Sequence, residues 1–288
     1  MQKVLITGGT GLVGTALCDL LKRKNIPYHI LTRSPKSPHE YKWDIDTSFI
    51  DIKSFEGIDT IIHLSGAGIA THRWTDAYKK EIMESRCRST ALLYHYVQKN
   101  NFPILHYLGA SAVGYYGDTG NKLVKEEDAP GKDFLSQVCA KWEEEHRSFE
   151  AICTVTIIRL GIVLSNTGGA LPQLIVPAKL GVASYFGSGT QYFPWIDLAD
   201  VSSIIFRACN ERWEGIYNAV SPEEIRFKEF TKRLAKHYRK FAIPFPLPAL
   251  LPKLTMGEQS DMLLLGQRVS SHKLIQQGYD YLVKKFLP

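Results

Sequence analysis

Val4, Leu5 and Ile6 form an unbroken apolar run, the pattern of a strand buried on both faces of a parallel sheet. Leu12, Ala16, Leu17, Leu20 and Leu21 then recur at helical spacing, and Lys22, Arg23 and Lys24 follow where cations suit the negative end of a helix dipole. The alternation continues downstream. "YHILTRS" (28–34) reads as the next strand, "YKWDID" (41–46) as a short one ending at Asp44, and "GIDTIIHLSGAG" (57–68) as a buried strand running into small residues. A long helix is predicted over 76–99, a strand over 103–111, a helix over 134–151 and a strand over 153–165. This order predicts an α/β fold, a doubly wound parallel sheet with right-handed crossovers, binding its ligands beyond the carboxyl ends of the strands. After residue 165 the pattern changes. "NTGGALPQL" and "GVASYFGSGTQYFPW" are glycine-rich and irregular, and "IPFPLPALLPKL" (243–254) sets four prolines among apolar residues, which predicts an extended packed segment rather than a helix.

Between the first strand and helix, Gly9, Gly11 and Gly14 read G-x-G-x-x-G, and Gly8, Gly11 and Gly14 read G-x-x-G-x-x-G. Glycine turns the chain sharply and lets backbone approach a pyrophosphate, while Gly14 allows close helix–strand packing and the helix N-terminus offers free N–H groups. A bare glycine pattern says little, but strand before and helix after are the context that a dinucleotide site requires. The next strand ends in Thr32, Arg33 and Ser34, where an NAD site would carry Asp or Glu for the ribose 2′-hydroxyl. Arg33 either pairs with the 2′-phosphate of NADP(H), the reading adopted here, or is a solvated surface arginine. Residues 1–165 are expected to form the dinucleotide-binding domain, with 190–220 returning to it, and 166–288 a smaller lobe over the cleft.

Composition narrows the partners. The 288 residues are 44% apolar, with a formal charge of +6 spread without long basic runs, so nucleic acid is not the expected partner and an anionic small molecule is. No apolar run reaches the ~18 residues that span a membrane, and no membrane partner is expected. The first strand begins so near Met1 that no leader is expected. Five dispersed cysteines (Cys18, Cys87, Cys139, Cys153, Cys209) without C-x-x-C predict reduced thiols in a cytoplasmic protein and no metal site.

The segments "ITGGTGLVG", "HLSGAGI" followed by "RWT", "SRCRST", "SAVGYYG", "RLGIVLS" with "GGAL", "GSGTQYFPWID", "YNAVSP", "MGEQ", "LLLGQRV" and "GYDY" run in order along the chain. Together they make it resemble an extended short-chain dehydrogenase/reductase, the superfamily of nucleotide-sugar epimerases and dehydratases, and within it the atypical "NAD(P)-dependent epimerase family" proteins. The resemblance implies a pyrophosphate loop of Gly8, Thr10, Gly11, Leu12, Val13 and Gly14, with Arg33 facing the adenosine phosphate. It also implies adenine contact at Asp44 (by its chemistry alone as readily an Asx turn) and a cofactor-lining segment of Leu64, Ser65 and Gly66. Arg86 stands where extended members often carry an asparagine. Counted with the cofactor-binding residues, it would meet a phosphate or carboxylate, or pair with Glu81 or Glu84.

The chemistry of that superfamily uses a tyrosine as acid or base, a lysine four residues on that lowers its pKa, and a serine that orients the reacting oxygen. Without the lysine, a tyrosine titrating near roughly pH 10 is a poor base at neutrality. Ser111 supplies the serine, but the helix "DFLSQVCAKWEEE" has no tyrosine, and Gln137 stands four residues before Lys141. Tyr115, or Tyr116 beside it, is the candidate substitute acid; the alternative is that both stack on a ligand or clamp their loop. Trp74, Trp195 and Trp213 read as packing, His63 as a core residue, His72 as a cleft group by position only, and Asp197 and Asp200 as helix caps. The expected function is that of an NADP(H)-dependent oxidoreductase or epimerase-like protein acting on a small carbonyl or hydroxyl substrate. The alternative is an NADPH-binding sensor or partner-binding module without catalysis.

Overall fold

The computed structural model describes residues 1–287, the side chain of Thr255 excepted. In chain order the strands are β1 (Val4–Thr7), β2 (Tyr28–Thr32), β3 (Glu40–Asp44), β4 (Phe49–Ile50), β5 (Thr60–His63), β6 (His106–Ala112), β7 (Leu123–Val124) and β8 (Thr154–Leu160). They continue as β9 (Ile162–Ser165), β10 (Gly168–Gly169), β11 (Val182–Phe186), β12 (Trp195–Asp197), β13 (Gly215–Ala219), β14 (Ile243–Leu247) and β15 (Arg268–Val269). The α-helices are α1 (Leu12–Arg23), α2 (Asp76–Asn100), α3 (Phe134–Arg147), α4 (Leu171–Ala178), α5 (Leu198–Glu211), α6 (Phe227–Tyr238), α7 (Leu250–Met256), α8 (Asp261–Leu264) and α9 (His272–Gln276).

The main sheet runs β13-β8-β6-β5-β1-β2-β3-β4 and is parallel except for β4. Its strands are apolar on both faces because both are covered. Val4 and Ile6 of β1, Ile62 of β5 and Leu108 of β6 pack with Leu17 and Leu21 of α1 and Val201, Ile204 and Ile205 of α5. Their neighbours Leu5, Ile61 and Tyr107 face the opposite layer, with Leu92, Leu93 and Val97 of α2 and with Phe149. The chain winds outward in both directions from β1 and β5, so the crevice between these strands is the switch point where such folds bind ligands.

Three expectations are corrected. The run 153–165 is two strands, not one: a Cβ on Gly161 would strike the carbonyl oxygen of Pro194, and past this glycine β9 leaves the main sheet to pair with β12. In 243–254 the extended part ends at Leu247, and α7 follows in spite of Pro252. That proline lies in the first turn, where a helix has no partner for the missing N–H. Asp197 caps α5, accepting from Ala199 N at 2.7 Å, but Asp200 is fully buried and caps nothing. Its carboxylate accepts from the Tyr279 hydroxyl (2.8 Å) and from the backbone N–H groups of Leu282 (2.8 Å) and Val283 (3.0 Å), tying the C-terminal segment to α5. The second lobe has its own core, built on Trp195, Phe227, Phe230 and Phe286.

Candidate functional site

At the end of β1 the chain enters Gly8 in the left-handed region (φ +70°), and Gly11 N–H donates to the Gly8 carbonyl at 3.0 Å. A Cβ on Gly14 would collide with that same carbonyl, and one on Gly8 would lie 3.0 Å from the carbonyl carbon of Leu64 and the nitrogen of Ser65. The loop is therefore pressed against the end of β5, with no room for side chains at either glycine. Gly11 caps α1 without a side-chain hydrogen bond, and Thr10 and Gly11 are exposed, so the first N–H groups of α1 remain for an anion. Leu64 and Ser65 are half-buried beside them, and the Ser65 hydroxyl oxygen is buried with no partner among the described residues. A helix start with uncapped donors, glycines where a Cβ would fill the cradle and an orphaned hydroxyl form a donor set that fits a pyrophosphate-bearing dinucleotide.

His63 holds this corner together, buried as expected. Ser65 N–H donates to Thr7 Oγ1 (3.2 Å), Thr7 Oγ1 lies 2.7 Å from His63 Nδ1, and His63 Nε2 lies 3.1 Å from Ser89 Oγ, which donates to the Arg86 carbonyl at 2.9 Å. With the Ser89 proton committed there, Nε2 carries the ring proton and Nδ1 accepts from Thr7. Burial, then the charges of His146 and Arg86, hold His63 well below its ordinary pKa, so the ring stays neutral.

Arg86 pairs with neither Glu81 nor Glu84. Its Nη1 donates to the carbonyls of Ala67 (3.1 Å) and Ile82 (2.9 Å), and its guanidinium lies 5.0 Å from the Trp142 ring centroid. A Cβ on Gly66 would touch it at 3.0 Å, so this half-buried cation lies directly beneath the segment that lines the loop.

Ser111 ends β6 next to β5, yet it is only 2% exposed and its hydroxyl donates inward to Glu143 Oε1 at 2.7 Å. Glu143 also accepts from Arg159 Nε and Nη2, each at 2.8 Å, closing a two-pronged buried ion pair between α3 and β8. Arg159 Nη1 donates to the Tyr116 hydroxyl (2.7 Å), which donates to Asn218 Oδ1 (2.7 Å). Burial would lower the Arg159 pKa, but the hydrogen bonds and charge of Glu143 outweigh it and raise it further. Tyr116, pushed up by burial against the pull of Arg159, clamps its loop. Tyr115 differs: half-buried, its ring lies 3.5 Å from the Arg159 guanidinium carbon, and its hydroxyl donates to no described residue.

On α3, Cys139 lies against Ser111 and the backbone of Ala112, and burial followed by the Glu143 charge pushes its thiol up to about 11, so it stays protonated. Lys141 points outward to Glu144 at 2.8 Å. Arg33 is exposed and in no ion pair among the described residues, and Asp44 Oδ1 accepts from the backbone of Asp46 (2.9 Å) and Thr47 (3.3 Å), an Asx turn. Trp195 and Trp213 are core residues, and His72 packs edge-on against Tyr78. No group of three or more His, Cys, Asp and Glu among the described residues could hold a metal.

Sequence reasoning missed Glu143 and Arg159. The signal was present: Cys139, Trp142, Glu143 and His146 share one face at i, i+3, i+4, i+7, and Arg159 is the one charged residue in a buried strand of aliphatic residues and threonines.

The family model "NAD dependent epimerase/dehydratase family" matches residues 4–219, from β1 to the end of β13. The chain belongs to this family. A second model, a domain of unknown function, matches 247–285. Within the family, an epimerase family protein of Staphylococcus haemolyticus is 34% identical over 290 residues, covering 98% of this chain and 95% of the relative. The crystal structure of human epimerase family protein SDR39U1 with NADPH superposes with a TM-score of 0.88 at 28% identity, covering 99% of this chain and 96% of that one. The structure of a nucleoside-diphosphate sugar epimerase from Corynebacterium glutamicum gives 0.80 at 30% identity, covering 99% of this chain but 56% of that one.

Proposed function

We propose that this chain binds NADPH on the Gly8–Gly14 loop and reduces a small carbonyl compound. The observation that carries the reading is the uncapped start of α1 beside the orphaned Ser65 hydroxyl. It is supported by the human relative, whose structure contains NADPH. Arg33, exposed and uncommitted, serves the 2′-phosphate; Gly8, Thr10, Gly11, Leu12, Val13 and Gly14 cradle the pyrophosphate; Leu64, Ser65 and Gly66 line it; Asp44 keeps Oδ2 for adenine. Arg86, whose described hydrogen-bond partners are backbone carbonyls, favours an anion beneath Gly66, on the cofactor or the substrate.

NADPH, when bound, supplies the hydride. Tyr115 is the acid at the reacting oxygen, because its hydroxyl is uncommitted while that of Tyr116 is not. Ser111 must turn away from Glu143 to donate to a carbonyl, and the two Arg159 bonds keep Glu143 satisfied when it does. With no tyrosine on α3 and its lysine pointing outward, the oxidise-and-return cycle of a sugar epimerase lacks its base. Residues 1–165 with 190–220 serve as the cofactor domain and 166–288 as the substrate lobe, in a cytoplasmic protein with reduced thiols.

Following NADPH consumption over a panel of carbonyl compounds tests this, with Tyr115→Phe expected to slow turnover at least tenfold and Ser111→Ala to slow it too. UDP-glucose should not be epimerised, and robust epimerisation would overturn the reading. One observation favours a second reading, an NADPH sensor: Ser111 is buried with its proton turned inward. Tight NADPH binding without any turnover would select it.

A further inference from the structure

Apolar side chains on the second lobe gather on one surface. Leu180, Phe241, Ile243, Phe245, Leu250 and Leu254 are between 51% and 70% exposed. Leu180, Phe241, Ile243 and Phe245 are neighbours in space: the Phe241 ring lies against Gly181, Ile243 N–H donates to the Gly181 carbonyl at 2.8 Å, and β14 pairs in parallel with β11; Leu250 and Leu254 follow on α7. Phe241, Ile243 and Phe245 alternate along the segment and so share a face. Single exposed leucines need no explanation, whereas a contiguous group of this kind marks an interaction surface.

Charge says what covers it. The stretches 161–196 and 230–257, which hold the whole surface, contain seven Lys and Arg and no Asp or Glu. The rest of the chain carries 28 basic and 29 acidic residues, so these two stretches hold a local excess of seven positive charges while the remainder is nearly neutral. Lys179, Lys236, Arg239, Lys240 and Lys253 are exposed and make no ion pair among the described residues. Arg239 Nε donates to the Lys179 carbonyl at 2.8 Å, bringing two of these cations to the edge of the apolar group. Among the described residues no helix is long and apolar enough to cross a membrane.

We infer that this face docks on an anionic phospholipid surface, with the apolar side chains entering the headgroup boundary and the five cations meeting lipid phosphates. A second copy of the chain fits less well. It would bring the same cations against these, and Pro244 and Pro246 deprive β14 of the N–H donors that strand addition needs. The expectation of no membrane partner rested on span length alone and does not bear on surface contact.

Co-sedimentation with phosphatidylcholine vesicles, with and without phosphatidylglycerol, tests the inference. The protein should pellet with the anionic vesicles, remain in solution with the neutral ones, and be released by salt. Lys240→Ala and Lys253→Ala should each weaken partitioning about fivefold, a Lys near an anionic surface being worth about that factor. Ile243→Ser or Phe245→Ser should weaken it further, while NADPH affinity and melting temperature stay at wild-type values because these side chains are exposed. No pelleting with phosphatidylglycerol, or equal pelleting with both vesicle types, overturns the inference. So does a dimer in sedimentation velocity that Phe245→Ser dissolves while wild type ignores vesicles.

Discussion

Replacing Glu143 by Gln keeps the volume of the side chain and removes its charge, which makes it a clean probe of the ion pair beneath Ser111. Arg159 is 1% exposed and Glu143 2% exposed, so water cannot take over from the lost carboxylate. Of the guanidinium's remaining bonds, one goes to a hydroxyl and one to a carbonyl, neither of them charged. Breaking such a pair from one side costs about 3–5 kcal/mol, a large part of the ~5–15 kcal/mol that holds a typical domain together. Ser111→Ala removes only one hydrogen bond to a carboxylate that keeps its two arginine bonds, and should cost about 1.5–3 kcal/mol. Replacing Glu143 and Arg159 together by Met restores an uncharged interior, and the double variant should be more stable than Glu143→Gln alone. Urea denaturation of the four proteins, with the slope compared to test for a two-state transition, measures these differences. If Glu143→Gln lies within ~1 kcal/mol of wild type, or the double variant is the least stable, the pair does not anchor α3 to β8 and the reasoning fails.

Three further outcomes are expected. Arg33→Ala should weaken NADPH binding by about 1.5–3 kcal/mol and leave NADH unchanged, read by fluorescence titration; equal wild-type affinity for both cofactors would refute the assignment. Gly14→Ala forces its Cβ into the Gly8 carbonyl, so cofactor affinity should fall at least tenfold and stability by about 1–3 kcal/mol, and unchanged binding would mean that the loop yields. Burial holds His63 well below its ordinary pKa and His106 and His146 down to about 4, so the unfolded chain takes up protons first as pH falls. Stability present above roughly pH 6.5 should therefore decline toward pH 4, by about 1.4 kcal/mol per unit for each histidine, and a melting temperature flat between about pH 7 and pH 5 would contradict this.

The strand–glycine–helix opening was legible because each of its signals is local. Gly8 must take a positive φ, Gly14 must lack a Cβ, and an apolar run followed by helical spacing admits one arrangement of β1 and α1. His63 was assigned to the interior on the same grounds, its flanking residues being apolar. Where a reading depended on distant partners, local pattern fell short. Tyr115 and Tyr116 are neighbours in sequence, and only the approach of Arg159 and Asn218 decides that one is clamped and the other is uncommitted. Asp200 looked like a cap until the C-terminal segment, some 80 residues on, supplied its donors. Gly161 splits a strand because Pro194 arrives from another element. Ser111 shows the same division: its place at the end of a parallel strand followed from the sequence, but the direction of its proton was decided by Glu143 on α3, because a hydroxyl turns to whichever acceptor packing brings within reach.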